Sequence, residues 1–262
     1  MNSLPLLGRR VLVTRAALQA GKLSDGLRAL GAEPVEVPLL EIQPPLSFAP
    51  LDAAIRGLDG YHWLLLTSAN TVRALAARAA ALKIPLAQPA GLKVAAIGQA
   101  TADAARREGF QITLVPESYV AESLLDALAG SASGKRILLA RAAVARDIIP
   151  GALRSAGAEV DVVDAYRNVM PESAPSQLQA ALSAGIHAAT FTSSSSATRL
   201  AEAAQAARIA WPFAGVPAIS IGPVTSATLR ETGWEPAEEA SCSDIPGLIA
   251  AVVRLFAIPP NR

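Results

Sequence analysis

The stretch "RRVLVTRAALQAGKLSDGLRALGAEPVEVPLLEIQP" runs from Arg9 to Pro44, and "KRILLARAAVARDIIPGALRSAGAEVDVVDAYRNVMP" runs from Lys135 to Pro171. Aligned, they set Val11 against Ile137 and Gly31 against Gly157, 126 positions apart. The match continues. "WLLLTSANTVRAL" (Trp63–Leu75) reads against "AATFTSSSSATRL" (Ala188–Leu200), with Thr67 facing Thr192 at a spacing of 125. "AAIGQATADAARREGF" then reads against "ISIGPVTSATLRETGW", where Gly98, Thr101, Arg106 and Gly109 face Gly222, Thr225, Arg230 and Gly233 at a spacing of 124. Three blocks in one order at a nearly constant spacing indicate a duplicated chain.

Each half opens as strand, helix, strand. "VLVT" and "ILLA" are short apolar runs without alternation, as parallel strands covered on both faces require. The helix after each ends at Gly31 or Gly157, the position where a left-handed residue closes a helix. Two further strand-to-helix units follow in each half, so the fold class is α/β with two doubly wound parallel sheets. "PLLEIQPP" (Pro38–Pro45) and "AYRNVMPE" (Ala165–Glu172) occupy equivalent, proline-limited places. They read as a two-stranded connector over 39–45 and 165–171. One domain then spans 46–164, and the other is discontinuous, uniting 1–38 with 172–262, with a cleft between the two. Two consecutive lobes would show the same repeat.

Bulk chemistry narrows the function. Of the 262 residues, 52% are hydrophobic and 17% charged, enough for a large core and too apolar for a disordered chain. A net charge of +1 with no basic tract argues against a nucleic-acid partner. The single cysteine, Cys242, excludes an internal disulfide, and nothing resembles a zinc cluster. The N-terminal stretch is too quickly charged for an export signal, and no apolar run approaches a membrane span. These features imply a cytoplasmic protein without a membrane partner.

In open parallel sheets ligands collect at the carboxyl ends of the strands, where helix N-termini carry free N–H groups and partial positive charge. The chain places "TSAN" (Thr67–Asn70), "TSSSS" (Thr192–Ser196), "QAT" ending in Thr101 and "PVT" ending in Thr225 at such points. Capping accounts for any one of these loops. Four of them with arginines alongside, and five hydroxyls where a cap needs one, point instead to a grip on a polyanion. Arg15 and Arg141 match across the repeat at strand ends, and Arg146 follows one turn later. A salt-bridge role is their alternative. Arg106 and Arg230 fall near helix C-termini, where the helix dipole explains them. His62 and His187 precede buried strands, and packing explains both better than catalysis. Tyr166, on the second connector, carries a phenol able to donate a proton or hydrogen bond to a leaving group, although connector packing accounts for it equally. Neither GxGxxG nor GxxxxGK[ST] occurs, so a dinucleotide or P-loop site has no support.

Taken in order, "VLVTR", "LLLTSANTV", "AAIGQATA", "LLARAAVARDIIPGALRSAGAEVDVVDAYR", "FTSSSSATRL" and "ISIGPVTSATLRETG" resemble the uroporphyrinogen-III synthase family across nearly the whole chain. The resemblance implies two α/β lobes and a cofactor-free, metal-free cyclisation of hydroxymethylbilane, a linear tetrapyrrole with eight carboxylates, with loss of water and inversion of ring D. It carries the family's connector tyrosine onto Tyr166, its Ile-Gly-block threonine onto Thr101 and Thr225, and its hydroxyl loops onto Thr67, Ser68, Ser193 and Ser194. Four consecutive serines depart from the family pattern, where a proline or glycine often intervenes. A monomer meeting neighbouring pathway enzymes only transiently completes the expectation. A phosphosugar-binding, isomerase-like domain and a non-catalytic two-lobed anion-binding protein are the rival readings.

Overall fold

A computed structural model describes residues 4–14, 17–118, 121–128, 130–144 and 147–257. The chain divides into two compact units, residues 1–41 with 169–262 and residues 42–168. The first begins with β1 (Arg10–Val13), α1 (Ala17–Ala29) and β2 (Glu33–Glu36). The second holds β3 (Glu41–Gln43), α2 (Ala49–Arg56), β4 (Trp63–Leu66), α3 (Ala69–Ala81), β5 (Lys93–Ala96), α4 (Gln99–Arg107), α5 (Ala121–Leu128), β6 (Arg136–Ala142), α6 (Ile148–Ser155) and β7 (Glu159–Val169). The chain then returns to the first unit with α7 (Ala174–Ser183), β8 (Ala188–Phe191), α8 (Ser194–Ala206), β9 (Ala218–Ser220), α9 (Pro223–Glu231), β10 (Pro236–Glu239) and α10 (Ile245–Ala257).

The first sheet has the order β10-β9-β8-β1-β2 and the second β3-β7-β6-β4-β5. Within the first, β1 pairs in parallel with β2 and β8, and β9 with β8 and β10. Within the second, β4 pairs in parallel with β5 and β6, and β6 with β7. Repeat-equivalent strands take equivalent places: β2-β1-β8-β9 in one unit is β7-β6-β4-β5 in the other. Each sheet therefore combines the opening strand–helix–strand of one half with the later strands of the other half. β3, within 39–45, lies beside β7, whose last residues enter 165–171, at one end of the second sheet. Glu41–Gln43 is an edge strand of the second sheet, and Tyr166 pairs with Ala142 inside it.

The central residues of the unalternating strands are buried on both faces, which is why they are apolar on both. Leu12 packs into one layer while Val11 and Val13 pack into the opposite one, and Leu64 and Leu66 oppose Trp63 and Leu65 in the same way. Each such fully buried aliphatic side chain stabilises by about 1.5–3 kcal/mol. Gly31 and Gly157 close their helices at φ +90° and +85°, left-handed values that only glycine takes without strain.

The two histidines form a repeated structural device. His187 Nδ1 accepts the Arg10 N–H at 2.9 Å and His62 Nδ1 accepts the Arg136 N–H at 3.1 Å. The histidine N–H in turn donates to the same arginine's carbonyl at 2.8 Å in both units. Each imidazole thus closes the amino end of a strand pair, opposite the edge at which the helices begin.

Candidate active site

In the second unit, β4 ends in half-buried Thr67, and Ser68 caps α3 with its Oγ accepting the Thr71 N–H at 3.2 Å. That same Oγ lies 3.1 Å from Thr71 Oγ1 and 3.0 Å from the phenolic oxygen of Tyr166. Tyr166 reaches it because the β6–β7 register shifts: Arg141 pairs with Asp164, whereas Ala142 pairs with Tyr166. The extra residue, Ala165, forms a bulge, the device by which strands re-aim a side chain near functional sites. The Tyr166 carbonyl accepts the Ala143 N–H at 2.9 Å, and the side chain is 6% exposed.

At the end of β5, Gly98 takes φ +87° and caps α4, with Thr101 buried in the first turn. Arg141 stands at the carboxyl end of β6 with a largely covered side chain, and it pairs with Asp147 at 2.5 Å. The salt-bridge role that sequence alone left open for Arg141 is therefore realised. Arg15 and Arg146 lie outside the described residues.

The first unit repeats the frame with different wiring. Ser193 caps α8 in a closed capping box: its Oγ accepts the Ser196 N–H at 3.2 Å, and Ser196 Oγ accepts the Ser193 N–H at 3.3 Å. Ser196 Oγ also donates to the Ser193 carbonyl at 2.6 Å, Ser195 Oγ lies 3.0 Å from Ser193 Oγ, and Ser194 Oγ donates to the Val224 carbonyl at 3.3 Å. The four serines, expected to turn their hydroxyls toward a ligand, bond chiefly to one another and to backbone. What this loop offers outward is its amides: the first N–H groups of a helix have no intrahelical acceptor and attract anions.

At the end of β9, Gly222 starts α9 in extended backbone, where a Cβ would come 2.5 Å from Ser243 Oγ. Thr225 is buried in the first turn, as is Thr101 in the other unit. Beside it Ser220 Oγ and Ser226 Oγ, both buried, approach to 2.5 Å, and Ser226 donates to the exposed Glu239, a chain the sequence did not reveal. Among the described residues no group of three or more His, Cys, Asp and Glu gathers as for a metal ion, and no helix is long and apolar enough to cross a membrane.

Thr67, Ser68, Arg141 and Tyr166 are thus grouped on adjacent strand ends of one unit, with Thr101 one strand further on, and Ser193, Ser194 and Thr225 occupy the corresponding edge of the other. Thr71 was missed. Its only sequence signal is its place three residues after the cap, opposite Ser196 in the repeat.

The architecture defines a class: doubly wound α/β units whose carboxyl-end loops begin helices with hydroxyl-bearing residues. The family model described as uroporphyrinogen-III synthase HemD matches residues 21–250, and the chain belongs to that family. It is 36% identical to a uroporphyrinogen-III synthase of Synechococcus elongatus over 96% of this chain and 97% of that one. It is 32% identical to a putative uroporphyrinogen-III synthase of Methanothermobacter thermautotrophicus over 84% and 88%. Among solved structures, a mutant uroporphyrinogen III synthase of Thermus thermophilus superposes with TM-score 0.64 at 23% identity, covering 95% of this chain and 99% of that one. The Helicobacter pylori uroporphyrinogen-III synthetase superposes with TM-score 0.57 at 18% identity, covering 94% and 99%. These two likenesses bear on the fold.

Proposed function

We propose that this chain cyclises hydroxymethylbilane to uroporphyrinogen III, with loss of water and inversion of ring D, in tetrapyrrole biosynthesis. Membership of the family supports the reaction, and one geometric observation supports the assignment of roles: the Tyr166 phenol sits 3.0 Å from the cap of α3, at the edge where helix N-termini begin.

The substrate is a flexible chain with eight carboxylates. The first-turn amides of α3, α4, α8 and α9, at the loops that carry Thr67, Ser68, Thr101, Ser193, Ser194 and Thr225, receive those arms, with Arg141 and the arginines at 15 and 146 adding charge. Tyr166 donates its proton to the departing hydroxyl as the C–O bond breaks, releasing water and leaving a resonance-stabilised azafulvene cation. The substituted α-carbon of ring D attacks that cation and forms a spiro intermediate. The spiro centre fragments, ring D rotates, and its free α-carbon closes the macrocycle. The ring proton lost on rearomatisation restores the phenol, so the protein emerges unchanged.

The pyrroles supply the electrons, and the protein supplies conformation. Holding reactive ends together gives effective molarities of roughly 10⁵–10⁸ M, and fixed backbone dipoles stabilise developing charge without reorganising. A catalyst of this kind needs no strong general base. It acts as a cytoplasmic monomer that requires no cofactor and meets other pathway enzymes only transiently.

The test is the isomer formed. Purified protein incubated with freshly generated hydroxymethylbilane should yield, after oxidation, the type III porphyrin. Type I alone would refute the assignment.

A further inference from the structure

Resting on the proposed reaction, we infer that Thr71 is a positioning residue that sets the direction of the Ser68–Tyr166 hydrogen bond and so keeps the phenol proton of Tyr166 free for the substrate. Heavy-atom distances alone leave that direction open, because either hydroxyl of the pair can donate. The direction follows from counting protons and lone pairs around Ser68 Oγ.

A serine hydroxyl has one proton to give and two lone pairs to receive with. One lone pair is taken by the Thr71 N–H at 3.2 Å. The Thr71 hydroxyl lies 3.1 Å from the same oxygen. Thr71 is fully enclosed, at 0% exposure, and Ser68 Oγ is the one partner its hydroxyl has among the described residues. A buried donor left without an acceptor costs about 1–3 kcal/mol, so the Thr71 hydroxyl donates to Ser68 and fills the second lone pair. Ser68 can then only donate, and its proton goes to the phenolic oxygen of Tyr166. The leftover proton belongs to Tyr166, which retains 6% of its surface and whose one described partner is Ser68.

The chain of donation runs Thr71 to Ser68 to Tyr166 and ends on a proton offered outward. A hydroxyl that accepts one hydrogen bond also becomes a better donor of its own proton, since linked bonds polarise one another. In the other unit the Thr71 position is Ser196, whose hydroxyl donates instead to the Ser193 carbonyl at 2.6 Å. The polarised chain is therefore a property of the second unit.

Thr71→Val removes the donor and leaves the shape nearly unchanged. Ser68 Oγ then regains a lone pair, and Tyr166 can turn its proton inward. In steady-state assays with hydroxymethylbilane, Thr71→Val should lower kcat by about 3–10-fold, the rate equivalent of one ordinary hydrogen bond. KM should stay within about twofold of the parent, since no binding contact is removed. Thr71→Ser, which retains the hydroxyl, should restore kcat.

The decisive arm is the double variant. Added to Tyr166→Phe, Thr71→Val should cost nothing further in kcat, because there is no phenol proton left to aim. Equal losses in the two backgrounds, a loss in Thr71→Ser matching that of Thr71→Val, or an unchanged kcat in Thr71→Val would each overturn the inference. In all three cases type III formation by the parent enzyme would leave the proposed reaction standing. Failure of the parent to form type III would instead remove the reaction and the inference with it.

Discussion

Ser68 and Ser193 are the same residue in two copies of one frame. Each ends the loop after a strand inside its sheet, β4 or β8, each has extended backbone (φ −157° and −170°), and each caps a helix of thirteen residues. Their surroundings differ at several positions, two of which matter most here. Opposite Ser68 stands Tyr166, whose repeat-equivalent residue is Leu40, and Thr71 stands where the first unit has Ser196. In the first unit the cap closes on itself as a capping box. In the second the cap is shared with a phenol. Under the proposed reaction, duplication supplied two edges that begin helices in the same way, and divergence at a few side chains gave one of them a phenol.

The comparison is most exposed at Tyr166. Tyr166→Phe should lower kcat by about 10–100-fold, at or below the usual worth of an acid–base group, as measured by initial rates of uroporphyrinogen formation. A loss confined to KM would show that the phenol binds and does not deliver a proton.

Next comes the pair of caps. Ser68→Ala and Ser193→Ala should each lose about 1 kcal/mol of stability in urea melts, the cost of an N-cap. Only Ser68→Ala should also lower kcat, by about 3–10-fold for the lost hydrogen bond. Equal effects on turnover would erase the distinction between the units. Milder still, Ser194→Ala and Thr225→Ala should each change kcat/KM by less than about threefold, since the grip is spread over many amides and one hydrogen bond contributes little to it.

A last contrast lies at the amino-terminal end of the second sheet. Tyr61 donates to Asp161 at 2.7 Å, and Arg136 pairs with the same carboxylate at 2.9 Å and stacks over the Tyr61 ring. Burial, then the bond to Asp161, pushes the Tyr61 phenol up to about 12. A group raised on folding stabilises fully below its unfolded value, near 10, and the contribution is lost as pH rises from there through about 12. The repeat-equivalent residues of the first unit are Ile186 and Val35, which do not titrate. Urea midpoints should therefore fall across that alkaline window in the parent and fall less in Tyr61→Phe. Identical alkaline profiles would refute the coupling.

Much of this was legible in the chain. The nearly constant spacing between Val11 and Ile137, Thr67 and Thr192, and Thr101 and Thr225 marked equivalent places in two sheets, because a parallel sheet puts equivalent loops at equivalent edges. Gly31 and Gly157 marked helix ends, because their backbone conformation excludes other residues. What stayed hidden depends on neighbours distant in sequence. The bulge at Ala165 comes from a register slip between β6 and β7 that no local pattern records. The inward turn of the serine hydroxyls depends on Ser196 and Val224 being within reach. The place of Arg141 at a strand end across the repeat favoured a ligand role, and its pairing with Asp147 is something only the folded loop shows.

The central proposal is that backbone amides at helix N-termini dictate how the substrate bends, while Tyr166 governs only how fast it reacts. Single-turnover cyclisation by Tyr166→Phe with enzyme in excess, followed by isomer determination, separates the two. Slower formation of the type III product is the expected result. Type I, or a mixture dominated by it, from fully bound substrate would contradict the account.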